Sequence, residues 1–107
     1  MFIAFEVSLE VITSLRSVVP IIERSNRDLA DQITRAASSV ALNLSEGQRL
    51  TKGNKQKHYV IAHGSANEVR AAIKTAIAWG WLEDATEALD KLDRLLALMW
   101  KLTHPRP

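Results

Sequence analysis

Two polar pairs with the same spacing stand out among the residues that could do chemistry. Asn43 and Glu46 lie three residues apart in the stretch RAASSVALNLSEG, and Ser65 and Glu68 repeat that spacing farther along. All four fall at or near positions that the surrounding apolar residues predict to face inward. An amide, a hydroxyl and two carboxylates together could serve a catalytic site, a metal site or an internal hydrogen-bonding network.

The cost of burying charge favours the internal network. A buried carboxylate without partners is expensive, and buried polar groups in proteins are usually hydrogen-bonded to one another or to backbone. We therefore expect Asn43, Glu46, Ser65 and Glu68 to form a structural polar network between two packed helices. Such a network can fix helix register, as a buried Asn does in a coiled coil. A ligand-binding role for the same residues is the alternative.

The histidines do not have the spacing of a metal centre. A carboxylate-bridged di-metal site in a helical bundle needs Glu-x-x-His on two helices. No Glu stands three residues before His58, His63 or His104. His58 and His63 are five residues apart, which does not bring two zinc ligands onto one helical face. The sequence predicts neither a metal nor another cofactor.

Motifs for nucleophilic catalysis and for phosphate loops are also missing. The serines fall within predicted helices rather than on the sharp turn of a nucleophile elbow. The stretch EGQRLTKGNK contains glycines and lysines but lacks the spacing of a phosphate-binding loop, and no strand is predicted before it. We predict a protein that is not an enzyme.

Charge is distributed unevenly along the chain. The net charge is only +2, yet residues 47–82 hold six bases and one acid, whereas the remainder holds eight bases and eleven acids. This asymmetry suggests a polyanion or an acidic protein as partner, although on the charge alone a solvated face without a partner is the favoured interpretation. The candidate phosphate-binding residues are Arg49, Lys52, Lys55 and Lys57, with Arg35, Arg70 and Lys74 as extensions of the same surface.

Four segments with helical periodicity must position these side chains. Pro20 interrupts the first segment, Ser25 or Asn26 can cap the second, Thr51 can cap the third, and Gly80 fits the position that ends it. Short connections join the segments, which is typical of an all-α, antiparallel up-down-up-down four-helix bundle. The segments cover about residues 2–19, 26–50, 52–79 and 84–102.

The composition is that of one soluble domain over residues 1–107, with 47% hydrophobic and 24% charged residues. The absence of cysteine indicates a reducing compartment. The apolar start carries Glu6 and Glu10 and has no basic leader, so it does not read as a signal peptide. No apolar run approaches the roughly 20 residues of a membrane span. We expect a cytoplasmic protein without a membrane partner.

Residues 29–73 resemble a bacterial family of four-helix-bundle proteins encoded in intervening sequences of 23S ribosomal RNA genes. That family shows roughly Leu-x-x-Gln-Ile-x-Arg-Ala-Ala-x-Ser-Ile, then Asn-Ile-Ala-Glu-Gly, and in the next helix Ala-x-Gly-Ser-x-x-Glu. The matching residues are Leu29, Gln32, Ile33, Arg35, Ala36, Ala37, Ser39, Asn43, Glu46, Gly47, Ala62, Gly64, Ser65 and Glu68.

The resemblance implies a four-helix protomer that assembles into a homopentamer. It also implies kinship in fold with accessory proteins of diversity-generating retroelements, which use basic surfaces to engage nucleic acid and a reverse transcriptase. No enzymatic activity is established for the family. The wide apolar face of the first segment supports self-association on independent grounds.

The function predicted from these observations is non-catalytic binding of RNA or DNA backbone through the basic patch of an oligomeric bundle. The alternative is a protein–protein scaffold or accessory subunit that docks an acidic partner, such as a reverse transcriptase, without nucleic acid. The three tryptophans, Trp79, Trp81 and Trp100, are more typical of core or helix-end packing than of contacts between chains.

Overall fold

The computed structural model describes residues 1–105, and within that range the chain is helical and has no strand. The molecule is elongated, with dimensions of 44 × 21 × 21 Å. The longest helix has 28 residues and, at about 1.5 Å per residue, runs almost the whole length of the molecule. The five helices are α1 (Ile3–Leu15), α2 (Val19–Ser25), α3 (Arg27–Arg49), α4 (Lys52–Trp79) and α5 (Thr86–Thr103).

The structure has five helices within residues 1–105, whereas the sequence pattern predicts four segments. The additional helix is α2, which follows the first predicted segment. The pattern predicts one helix over about residues 2–19, ended by Pro20. Instead α1 ends at Leu15, a short turn follows, and Pro20 lies in the first turn of α2. The N–H groups of a first helical turn have no partner within the helix, so a proline costs nothing there and can start a helix.

The predicted ends of α3 and α4 are confirmed, with one change. The Asn26 side chain accepts a hydrogen bond from the Leu29 N–H at 2.9 Å and caps α3. Gly80 ends α4 in the left-handed conformation, with φ of 79°. Thr51 stands at the N-cap position of α4, but its side chain makes no capping hydrogen bond.

One apolar core runs through the helices. α4 packs against α3 and α5, α1 packs against the same two helices, and α2 packs against α3. The inward residues of α4 are mostly alanine, which lets neighbouring helices approach closely, and larger side chains come from α3 and α5. Leu92, Leu95 and Met99 are each almost fully buried, and each such burial contributes about 1.5–3 kcal/mol. Within residues 1–105, no helix is both long and apolar enough to cross a membrane.

Candidate nucleic-acid interface

Side-chain hydrogen bonds join α3 and α4 as an antiparallel pair. The Ser65 hydroxyl donates to the Ser39 hydroxyl at 3.1 Å, and Asn43 Oδ1 lies 2.9 Å from His58 Nδ1. Asn43 Nδ2 donates to the carbonyl and hydroxyl oxygens of Ser39, at 2.9 and 3.1 Å. The network therefore runs from Ser65 through Ser39 and Asn43 to His58. Asn43 and Ser65 belong to it as predicted, but they are joined by Ser39 rather than directly.

The two glutamates of the predicted network bond elsewhere. Glu46 accepts from Arg49 Nη2 at 2.7 Å, and Glu68 accepts from Gln32 Nε2 at 2.9 Å. Both bonds are solvent-exposed, so neither carboxylate has the buried position that the sequence predicts. The physical reason is that a carboxylate at the edge of a helix pair retains more hydration by turning outward. Ser39 was detectable from sequence, since it stands four residues before Asn43 on the same helical face.

On the side away from α3, side chains of α4 form hydrogen bonds with α5. Gln56 Nε2 donates to the Thr103 carbonyl at 3.1 Å, and His63 Nδ1 lies 3.2 Å from the Thr103 hydroxyl. Farther along, Arg70 Nε donates to Asp93 Oδ1 at 2.7 Å. The C-terminal end of α5 consequently lies beside the N-terminal half of α4.

This packing creates a basic end, defined here as residues 47–67 together with residues 94–105. Neither segment contains an acid, although they are far apart in the chain. All three histidines of the protein also fall within these segments. Charge asymmetry along the sequence reveals only the first segment, because the second adjoins it through helix packing alone. The cations of the basic end are Arg49, Lys52, Lys55, Lys57, Arg94 and Lys101.

The four cations predicted at the turn between α3 and α4 differ in availability. Arg49 is exposed but paired with Glu46, and that hydrogen bond, with the attraction of the guanidinium, lowers the pKa of the Glu46 carboxyl. Lys52 and Lys57 are exposed, whereas Lys55 is half-buried. Lys52 has a left-handed φ of 48°, which costs a non-glycine residue about 1–2 kcal/mol. This conformation lies at the turn that joins α3 to α4.

Three further cations do not extend that group. Arg35 precedes Arg49 by fourteen residues, or about 21 Å of helix, and lines an open groove of about 420 Å³ together with Glu68. Arg70 is bonded to Asp93 and faces α5. Lys74 is exposed about one helical turn beyond Arg70, farther from the basic end. The single surface predicted for all seven cations is therefore wrong, because helix length separates them.

The aromatic residue within the basic stretch is buried, whereas two of the three tryptophans are exposed. Tyr59, the aromatic residue within the basic stretch, is only 6% exposed and packs against Phe2 at a ring distance of 5.8 Å. Trp100 is 56% exposed and stacks on the His104 ring, and Trp79 is 68% exposed and stacks on Trp81. Trp79 and Trp100 therefore lie at helix ends, which the sequence interpretation allowed, and not in the core. The sequence signal for the exposure of Trp100 is its position on α5. It lies beside the buried stripe of Leu92, Leu95 and Met99 and not on that stripe.

Potential metal ligands do not cluster in the part of the chain that the structure describes. Within residues 1–105, no group of three or more His, Asp and Glu side chains is placed to hold a metal ion. Every buried side-chain nitrogen or oxygen described has a hydrogen-bond partner. The polar network between α3 and α4 is accordingly satisfied from within the protein.

Fold and surface together define a small all-helical protein with one strongly basic end. The chain belongs to the 23S rRNA-intervening sequence protein family, whose model matches residues 3–101. That match covers α1 to α4 entirely and α5 except for its last two residues. Comparisons with curated proteins and with solved structures produced no match.

Proposed function

We propose that this protein is a non-catalytic nucleic-acid-binding protein that holds RNA or DNA by its phosphate backbone at the basic end. The observation that carries the proposal is the meeting of two acid-free segments, residues 47–67 and 94–105, through the hydrogen bonds of Gln56 and His63 to Thr103. Three of the six cations, Lys52, Lys57 and Lys101, are exposed within the turns of α4 and α5 that meet at this end, and they give it a positive surface. A polyanion is the ligand whose charge density matches it.

Binding of this kind follows from counterion release. Each phosphate neutralised by a lysine or arginine frees condensed cations, so affinity falls steeply with salt and depends little on sequence. Lys52, Lys57 and Lys101 are exposed, and within residues 1–105 no carboxylate lies within 4.0 Å of them. Arg49 contributes less because Glu46 already offsets its charge. Arg35, Arg70 and Lys74 would make secondary contacts with a longer strand.

The test is a pair of charge reversals at the two ends of the molecule. Lys52→Glu with Lys55→Glu removes positive charge from the basic end, and Arg24→Glu with Arg27→Glu makes the same net change at exposed positions far from it. At low salt we expect the first variant to bind RNA and DNA at least about tenfold more weakly, and the control to bind within about twofold of the wild type. Equal affinities of the two variants in filter binding would overturn the proposal.

Self-assembly is the second part of the proposal. We propose that α1 and α2 together form the first arm of an up-down-up-down four-helix bundle, that the protein works in the cytoplasm, and that five copies assemble into a homopentamer. The support is the number of large apolar side chains left exposed on a single chain, among them Ile3, Leu9, Ile21 and Val60. Five basic ends would also multiply a weak contact through avidity. Native mass spectrometry at tens of micromolar protein, an order-of-magnitude choice, tests this, and a monomer would contradict it.

A scaffold that docks an acidic protein, such as a reverse transcriptase, is the second candidate. One observation favours it: Leu42 of α3 and Ile61 of α4 are 69% and 41% exposed, and these two helices pack against each other. An apolar pair with a polar rim is typical of protein interfaces. Polyglutamate, used as a probe in the same salt series, separates the candidates. Binding of polyglutamate as tight as that of RNA would favour the scaffold, and its absence would favour nucleic acid.

A further inference from the structure

We propose that Trp100, backed by His104, is a stacking platform for an unpaired base, so that the ligand of the basic end is a single strand. The inference rests on the proposed nucleic-acid function and narrows it to a class of ligand. Base stacking on an aromatic ring is tolerant of sequence because every base has a π-face. It is therefore compatible with backbone binding that reads no sequence.

The geometry of the Trp100 side chain supports this role. The centroids of the indole and the imidazole of His104 are 3.3 Å apart, and the two rings are inclined by only 21°. His104 Nδ1 lies 3.1 Å from the Trp100 carbonyl oxygen and 3.0 Å from the Thr103 hydroxyl, which holds the imidazole on one face of the indole. Trp100 nevertheless remains 56% exposed. A ring that is fixed in advance loses little conformational entropy when a base stacks on it.

The platform lies among the cations of the basic end. Thr103 is one turn beyond Trp100 on α5 and accepts the hydrogen bond from Gln56 of α4. Lys52 is the first residue of α4 and precedes Gln56 by four residues, and Lys101 follows Trp100 directly on α5. A nucleotide stacked on the indole would thus have its phosphate among lysines. Residues 94–105 contain no carboxylate to repel it.

An unpaired base fits this site better than a duplex or an apolar protein. In a duplex the bases are stacked on one another and present only their edges, so an exposed indole on a helix has no π-face to meet. An apolar protein partner would use the exposed ring but would not need lysines without counter-charges beside it. The Trp79–Trp81 stack provides the matched control, since Trp79 is 68% exposed but adjoins Glu83 and Asp84 in the chain.

The experiment uses the full chain in two forms. In the Trp79→Phe, Trp81→Phe variant the remaining fluorescence comes from Trp100, and we expect poly(U) and poly(dT) to quench it while duplex RNA and DNA of equal length do not. In the second form, Trp100→Leu should lower affinity for poly(U) and poly(dT) about tenfold, whereas Trp79→Leu should leave it within about twofold. Trp100→Phe, which keeps a smaller aromatic face, should recover part of the loss. The poly(U) and poly(dT) arms distinguish RNA from DNA as the source of the base.

The outcomes separate this inference from the function on which it rests. If Trp100→Leu weakens poly(U) and duplex equally, or weakens neither while Lys52→Glu with Lys55→Glu still does, the platform is overturned and backbone binding stands. If nothing anionic binds at low salt, both fail. A change in assembly state on Trp100→Leu with no quenching in the first form would assign Trp100 to a protein interface and also overturn the platform. Thermal unfolding of each variant verifies that the exposed substitutions leave the fold intact.

Discussion

The two ends of this molecule share an aromatic feature and differ in charge. At one end Trp100 stacks on His104 among segments that hold six cations and no acid; at the other Trp79 stacks on Trp81, and residues 80–90 hold four acids and no base. Ile21 of α2 lines a cavity with Gly80 and Asp84 at that acidic end. An exposed tryptophan is therefore not enough to indicate a nucleic-acid site, because the charge around it decides which ligands can approach.

Glycine also serves different purposes in the two halves. Gly47, near the basic end, is buried inside α3, and a Cβ added there would lie 2.7 Å from Cε1 of Tyr59. Gly80, at the acidic end, has open space around it but a φ of 79° that side chains rarely adopt. The first glycine permits close packing of two helices, and the second permits a helix to end.

The largest effect we expect is the loss of stability on Gly47→Ala. The added methyl group must displace the buried Tyr59 ring, and overpacking of this kind costs about 1–3 kcal/mol, partly offset by the better helix propensity of alanine. Urea denaturation followed by circular dichroism measures the change. Gly64→Ala is the matched control, because nothing lies within 4 Å of its Cβ position, and it should stabilise by up to about 1 kcal/mol. A Gly47→Ala variant as stable as Gly64→Ala would remove the packing role.

Asn43→Leu should have the next largest effect. The substitution leaves His58 without this partner in a half-buried place and removes one of the two side-chain hydrogen bonds to the Ser39 hydroxyl, which together cost about 1–2 kcal/mol. Gln32→Leu, which breaks only an exposed bond to Glu68, should cost less than about 0.5 kcal/mol. Thermal unfolding of both variants gives the comparison. Equal and small losses would mean that the network does not stabilise the α3–α4 pair.

Introducing positive charge at the acidic end tests the comparison of the two ends directly. Glu83→Lys with Glu87→Lys surrounds the Trp79 stack with cations, and we expect poly(U) to bind about fivefold more tightly at low salt. In a Trp81→Phe, Trp100→Phe background the same change should make Trp79 fluorescence sensitive to poly(U). Asp84 is retained because it accepts the hydrogen bond from the Thr86 N–H at the start of α5. Unchanged affinity would mean that charge is not what distinguishes the ends.

The smallest effect concerns two carboxyl groups whose pKa values are both lowered, for different reasons. Hydrogen bonding to Arg49 and its positive charge lower the pKa of Glu46, whereas hydrogen bonds from the Thr86 side chain and backbone lower that of Asp84. At 1 M NaCl the Debye length is about 3 Å, so we expect the pKa of Glu46 to rise toward its ordinary value while that of Asp84 stays. Carbon-detected NMR titration at two salt concentrations gives both values, and parallel shifts would contradict the assignment of causes.

The sign of the accompanying stability change follows from linkage. A carboxyl whose pKa is lower in the folded than in the unfolded state stabilises the fold above its unfolded pKa, and this contribution disappears as pH falls through the folded pKa. Acidification below the ordinary pKa range of Asp and Glu should therefore reduce the stability that both groups contribute. The part due to Glu46 should shrink in high salt, and the part due to Asp84 should not.

Most of the secondary structure was predictable from the residues alone. The apolar stripes of α3, α4 and α5, the cap at Asn26 and the stop at Gly80 are local patterns, and local patterns depend on backbone preferences and side-chain spacing. The short helix α2 was harder to predict, because it lies between the first two predicted segments and Pro20 is compatible both with the end of one helix and with the first turn of the next.

The sequence by itself determined a helical chain with a basic stretch, two polar residues, Asn43 and Ser65, near the inner faces of their helices, and three tryptophans. Only the tertiary structure decided that residues 94–105 adjoin residues 47–67, that Ser39 joins Asn43 to Ser65, and that the Trp100 ring is exposed. These outcomes depend on which helices are neighbours and in which direction they run. Which helices become neighbours depends on how all the apolar faces pack together around one core. No single segment specifies that packing.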